Sequence, residues 1–215
     1  MKKLFFALTA VILVFASCEE SGTKTGNKSD SSATAETKKN DTPEKKLSQE
    51  EEMAAWQAYA TPGAPHQMLA AQAGNWEYTI TYKAHPDSAR EVTEKGTGTT
   101  KMMNPLVQVN NYKGTMMGMP YEGHNMVAYD NAKKMFVSTM VDNMGSGISY
   151  MEGPWDEATK SMTLKGKMVD PGTGKELDSR EVVTMPDANN QTVEMWCTKN
   201  GKEEKMITIK LTKKS

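Results

Sequence analysis

The chain has 215 residues, a formal net charge of -1, 37% hydrophobic and 25% charged residues, which suits one domain with appendages. There is no basic field to neutralise a phosphate backbone, so nucleic acid is excluded as a partner. The only cysteines are Cys18 and Cys197. If Cys18 is otherwise used, the domain must hold together without an internal disulfide, and Cys197, in an alternating apolar run, reads as a small buried hydrophobe.

Lys2 and Lys3 precede an apolar run over residues 4–16, broken only by Thr9. Thirteen residues are too few for a spanning helix, which takes about 20, but they fit the h-region of a secretory signal. Ala16 and Ser17 then stand before Cys18. The pattern resembles a bacterial lipobox, with Phe15 where Leu is commonest. The resemblance implies a leader over 1–17 and a covalent lipid on the thiol of Cys18, with no other cofactor expected. It implies an address in the cell envelope, the outer membrane being the expected one. The lipid bilayer is then a partner through the Cys18 anchor, and the domain lies outside the cytoplasm.

Residues 19–46 contain no aromatic or large aliphatic side chain. Nothing there can be buried to offset chain entropy, so a disordered tether is expected over 18–46. Its six acids and six bases cancel, which rules out a polybasic membrane patch. As a flexible coil it would reach roughly 30 Å. A helical lead-in is expected over 47–73. Ser48 and Glu51 form a capping box, Thr61-Pro62-Gly63 stops the first helix, and Pro65 opens a second that ends before Gly74.

From Asn75 the apolar period changes to two: Trp76, Tyr78, Ile80 and Tyr82 alternate with polar residues. Further alternating runs cover 92–103, 106–113, 124–130, 135–141, 148–153, 161–169, 180–185, 192–198 and 205–212. Turn-forming groups such as Asn200-Gly201 separate them. The fold class expected for 74–215 is mainly β, an antiparallel barrel of about ten strands, with one or two short N-terminal helices. Closure would remove the exposed edges of so wide a sheet.

Several ordered motifs resemble the bacterial domain of unknown function 1579 family: Pro65-His66, Leu69, Gly74-Asn75-Trp76, 118–123, Tyr129-Asp130, Val141-Asp142 and 170–175. The resemblance covers about 65–212 and implies a lipocalin-like (calycin-like) barrel, with no activity attached. Gly74-Asn75-Trp76 is also similar to the G-x-W of lipocalins, where the Trp closes one end of the barrel under a basic side chain of the last strand. Here Lys210 or Lys213 would take that place.

Eighteen methionines would make an adaptable apolar lining. Met116, Met117 and Met119 form the tightest cluster and are the only candidates for a soft metal such as Cu(I); no other metal motif is present. His85 reads as a turn residue, and His124 as a polar group inside a pocket. No nucleophile has a base beside it, so no catalytic residue is assigned. Tyr121, His124, Tyr129, Met140, Asp142 and Trp155 are the candidate ligand-binding residues.

Four readings stay open. The first is a tethered barrel holding a small apolar or amphipathic ligand. The second is an interaction or structural lipoprotein that uses the barrel as a scaffold, its protein partners unspecified. The third, less favoured, is an enzyme using Asp142 and His124, and the fourth is a copper carrier.

Overall fold

The computed structural model describes residues 46–84 and 88–214. The leader expected over 1–17, Cys18, the tether up to residue 45 and His85 lie outside the described residues. Helix α1 (Gln49–Tyr59) starts at Ser48, whose hydroxyl accepts the Glu51 N–H at 3.2 Å, while the Glu51 carboxylate accepts the Ser48 N–H at 2.8 Å. This reciprocal cap satisfies two amides that a helix start leaves open. No residue of α1 is buried. The helix is held at its C-terminal end, where the Asn131 amide donates to the carbonyls of Tyr59 and Thr61 at 2.8 and 2.9 Å.

Pro62-Gly63 turns the chain into α2 (Ala64–Ala71), which buries His66 and Leu69. His66 Nδ1 accepts the Gly63 N–H at 2.9 Å, so the ring proton lies on Nε2, which donates to the Tyr129 carbonyl at 3.2 Å. The Gln108 amide donates to the Leu69 carbonyl at 2.7 Å. Together these bonds fix α2 to the end of the sheet.

The strands are β1 (Gly74–Lys83), β2 (Glu91–Asn104), β3 (Val107–Met116), β4 (Met119–Asp130), β5 (Met135–Asp142), β6 (Ser149–Gly153), β7 (Trp155–Asp156), β8 (Ser161–Val169), β9 (Glu176–Thr184), β10 (Asn190–Lys199) and β11 (Lys202–Lys213). All pairs are antiparallel, in the order β6-β5-β4-β3-β2-β1-β11-β10-β9-β8-β7, and β6 also pairs with β8. That last pairing closes a ten-stranded barrel, with the two-residue β7 lying on β8. The antiparallel barrel expected from the period-two pattern is therefore the fold. β4 begins at Met119, five residues before the expected run. Met117 and Gly118 take φ of 54° and 73°, a two-residue turn that keeps β3 and β4 paired to their tips.

The closing seam is short: only Met151 with Gly166 and Glu152 with Lys165 pair there. Gly153 and Gly166 let backbones approach closely, since a Cβ on either would strike the carbonyl oxygen of Thr163 or Tyr150. Strand directions put α2 and the chain's C-terminal end at one end of the barrel. The tips Met117-Gly118, Gly145-Ser146-Gly147 and Asn200-Gly201 lie at the other. The first end is packed solid around Leu69, Phe136, Met162, Leu164 and Val183. Trp76, Tyr78, Ile80 and Leu211 pack along β1 and β11. Each such side chain contributes roughly 1.5–3 kcal/mol by leaving water.

Trp76 lies in the closed end, where its indole N–H donates to the Gln72 carbonyl at 3.1 Å. Lys213, from the last strand, places its ammonium 6.0 Å from the Trp76 ring. Gly74 adopts φ 148° beside the Lys213 stem, which only glycine takes without strain.

Candidate functional site

Directly paired residues of an antiparallel sheet project from the same face. Trp76 is buried in the interior, so the partners in its row also face inward: Gly98, Tyr112, Gly123 and Asp142. The next row towards the open end runs Tyr78, Gly96, Gly114 and Tyr121. Glycines thus stand beside tyrosines on the inner wall, and the glycines are seats for the rings. A Cβ on Gly114 would stand 2.6 Å from the Tyr78 hydroxyl, and one on Gly98 would stand 3.1 Å from the Tyr112 ring. A Cβ on Gly123 would meet the Met140 methyl at 2.6 Å and the Tyr121 hydroxyl at 2.7 Å, so Met140 and Tyr121 converge over that glycine. Tyr78 and Tyr112 meet edge to face with centroids 6.0 Å apart, a favourable arrangement of ring quadrupoles.

Beneath these rings a polar ladder crosses four strands. Thr100 donates to Asn110 at 2.6 Å, and the Asn110 amide donates to Gln108 and Asn125 at 3.1 and 2.9 Å. Asn125 donates to the Ser138 hydroxyl at 2.8 Å. Buried amides cost little when their bonds are made, and here they are.

The far wall holds an unpaired acid. Glu181 pairs in register with Leu164 and Met195. Leu164 is fully buried, so Glu181 projects inward too. Among the described residues its carboxyl meets no hydrogen-bond donor and no cation. Desolvation pushes it up to about 7, because a carboxylate away from water and without a counter-ion is disfavoured. Burial raises Tyr112, with the Glu181 charge adding to it, and raises Tyr121, with the Asp142 charge adding to it. Tyr78 is raised by burial, and its hydroxyl is buried with no partner. Protein surrounds Glu181, Tyr112 and Tyr121, yet each keeps some accessible surface. Both conditions fit side chains that project from the wall into the barrel interior.

Residues 61–213 match the family described as "Protein of unknown function (DUF1579)". The chain belongs to the DUF1579 family. Among solved structures, Rv2717c from M. tuberculosis is similar to the DUF1579 chain, with a TM-score of 0.50 at 11% identity over 72% of this chain and 100% of that one. That likeness is one of fold. EF1p2_mFAP2b bound to DFHBI (TM-score 0.38, 13% identity, 69% of this chain and 98% of that) and a redesigned β-barrel (0.36, 15%, 69% and 96%) are more distant. No curated protein matches the chain.

Of the residues expected at a pocket, the DUF1579 barrel brings Tyr121, Met140 and Asp142 together around Gly123. Asp142 also accepts the Met144 N–H at 2.9 Å, which fixes the turn at the mouth. His124 is a correction: it pairs with Val141 and is exposed on the outer wall, where it meets the Asn111 amide oxygen at 2.8 Å. It and Asp142 project from opposite faces, so they cannot act as an acid–base pair. Tyr129 and Trp155 sit at the packed end, on Phe136 at 5.0 and 6.5 Å. Met116 packs inward on the Trp76 group, while Met117 and Met119 are 59% and 49% exposed.

Tyr78, Tyr112 and Glu181 are the lumen residues that sequence reasoning misses. Their signal is parity: Tyr78 shares the phase of Trp76, and Glu181 that of Val183. Cys197 is buried, and burial raises its thiol. Trp196 faces outward between Arg180 (4.7 Å) and Lys205 (5.6 Å).

Proposed function

We propose that this chain is a lipid-anchored envelope protein whose barrel holds a small apolar or amphipathic ligand in its open half. One observation carries the binding part. The closed end is packed and a second core runs along β1 and β11, whereas on the β4, β5 and β9 side nearer the mouth Tyr121, Met140 and Glu181 face inward and keep accessible surface. Small barrels with such linings hold one guest. Native mass spectrometry of residues 47–215, purified without denaturation, tests this. A reproducible added mass released on unfolding is the expected result, and a bare chain mass from every preparation would remove the reading.

The anchor rests on the sequence pattern of residues 1–18. Cells fed an alkynyl fatty acid should label the wild-type chain and not Cys18→Ala. Equal labelling would refute lipidation at that thiol.

A second reading, an interaction protein, has its own support in α1. Trp56 is 71% exposed and Met53 stands beside it in solvent, a surface of the kind that partners cover. Photo-crosslinking from position 56 in cells would capture a partner. Crosslinks only to lipid or to nothing would leave the ligand reading alone.

A further inference from the structure

This inference rests on the ligand-holding reading and names the chemistry of the guest. Deep on the inner wall, between the Trp76 closure and the rim, stand two acids, Asp142 and Glu181; at the rim the same phase adds Glu94 opposite buried Ile80 and Glu204 opposite buried Cys197, while the rim lysines Lys199 and Lys202 donate to Asp170 at 3.1 Å and to Glu204 at 2.7 Å. The nearest basic groups are committed elsewhere. Arg180 faces outward and makes two 2.7 Å bonds to Glu203. Lys213 lies under the floor on Trp76 and donates to the Ala71 carbonyl at 3.1 Å. Glu94, at the rim, is satisfied by the Tyr82 hydroxyl at 2.8 Å and the Gly118 N–H at 2.9 Å. Glu181 has no such partner.

Tyr112 is the phenol that feels the Glu181 charge, and Tyr78 and Tyr121 neighbour Tyr112. Their hydroxyls are close enough that the ionisation of Tyr78 and Tyr112 would oppose that of Tyr121, and Glu181 that of Tyr112. The Tyr78 hydroxyl, in a residue only 5% exposed, is buried there without a donor or acceptor. A carboxyl lacking its cation, within electrostatic reach of a phenol ring, is chemically incomplete. An anionic guest seated at Glu181 would meet Asp142 and Glu181 with no free cation beside them, and a neutral one would leave the carboxylate unpaired.

We infer that the guest is an amphipathic organic cation, its ammonium end seated against Tyr112 and Tyr121 with Glu181 as counter-ion, and its apolar tail along Met140 and Met195 towards the mouth. Aromatic faces attract ammonium groups, most strongly when water is excluded, and a buried carboxylate gains from the same charge.

Three probes of equal tail test this on the folded protein by calorimetry, below their micellar concentrations: decyltrimethylammonium, decanol and decanoate. At about pH 8 the cation should bind roughly tenfold tighter than decanol, and decanoate weakest. Affinity for the cation should rise between about pH 6 and pH 8 as Glu181 ionises. The groups facing Glu181 from its neighbours do not mimic this. β8 offers only Met162, Leu164 and Gly166, and β10 offers Val193, Met195 and Cys197, whose thiol burial raises. Tyr78, Tyr112 and Tyr121 are all raised, and the remaining inward acids are Asp142 and, at the rim, Glu94 and Glu204. In Glu181→Gln the preference for the cation over decanol should fall roughly tenfold while decanol affinity holds.

Decanol or decanoate binding as tightly as the cation in the wild type would overturn the inference and leave the ligand-holding reading standing. Binding of none of the three would remove both. The wild-type comparison does not depend on the variant folding.

Discussion

The Lys213 ammonium lies 6.0 Å from the Trp76 ring and donates to the Ala71 carbonyl at 3.1 Å, so the last strand clasps the first strand and the end of α2. Lys213→Met keeps the apolar stem and removes the charge. It should cost about 1 kcal/mol, from the lost cation–π contact and the orphaned carbonyl. The urea midpoint measures it.

The ring seats predict an asymmetry between two small changes. Gly114→Ala puts a methyl 2.6 Å from the Tyr78 hydroxyl and 2.7 Å from the Lys95 carbonyl oxygen, and should destabilise by about 1–3 kcal/mol. Tyr78→Phe removes an unpartnered hydroxyl and should be neutral or stabilising, because no bond is lost. Equilibrium unfolding of both variants, side by side, checks the contrast.

Glu181 sets a pH dependence whose sign follows from its direction of shift. Its ordinary value is 4.5 and its folded value about 7. Below 4.5 both folded and unfolded chains carry the proton. Between the two values the unfolded chain releases it and the folded chain does not, so stability falls as pH rises, and above about 7 the loss is complete. The full difference is at most about 3 kcal/mol. Glu181→Gln should flatten the fall of melting temperature across this range and melt above the wild type at pH 8.

The ladder under the rings is vulnerable at its centre. Asn110 bonds to Thr100, Gln108 and Asn125, so Asn110→Ala leaves two buried groups and one half-buried one short. It should cost about 2–4 kcal/mol, which denaturant titration would register. Because Gln108 also holds the Leu69 carbonyl, amide exchange in α2 should speed up in the same variant.

Much of the fold is legible in the sequence. Ser48-x-x-Glu51 marks the helix start, Pro62-Gly63 the break, and alternation from Asn75 the strands, because each reflects local backbone chemistry. Alternation does not say which face turns inward. Hydropathy assigns apolar residues to the inside, yet Val141 and Met126 stand outside while Asn110, Asn125 and Ser138 lie inside, bonded to one another. That inversion is why His124 reads as a pocket residue and is not one. Glu181 is hidden for a similar reason: nothing in a single charged residue of an alternating run says which face it takes, and its neighbour Arg180 projects from the opposite one. Tyr121, Met140 and Asp142 meet because the register between β4 and β5 places Gly123 opposite Asp142, a pairing that no local signal encodes.

The β6–β8 junction bears on how the barrel admits a guest. With two residue pairs against the seven to ten that join β1 to β11 and to β2, it is the least stitched line of the cylinder, and its backbone groups should exchange with solvent sooner than those on the opposite side. A molecule too wide for the rim would find its least resistance there, so the wall can yield along one side while the clasped floor stays shut.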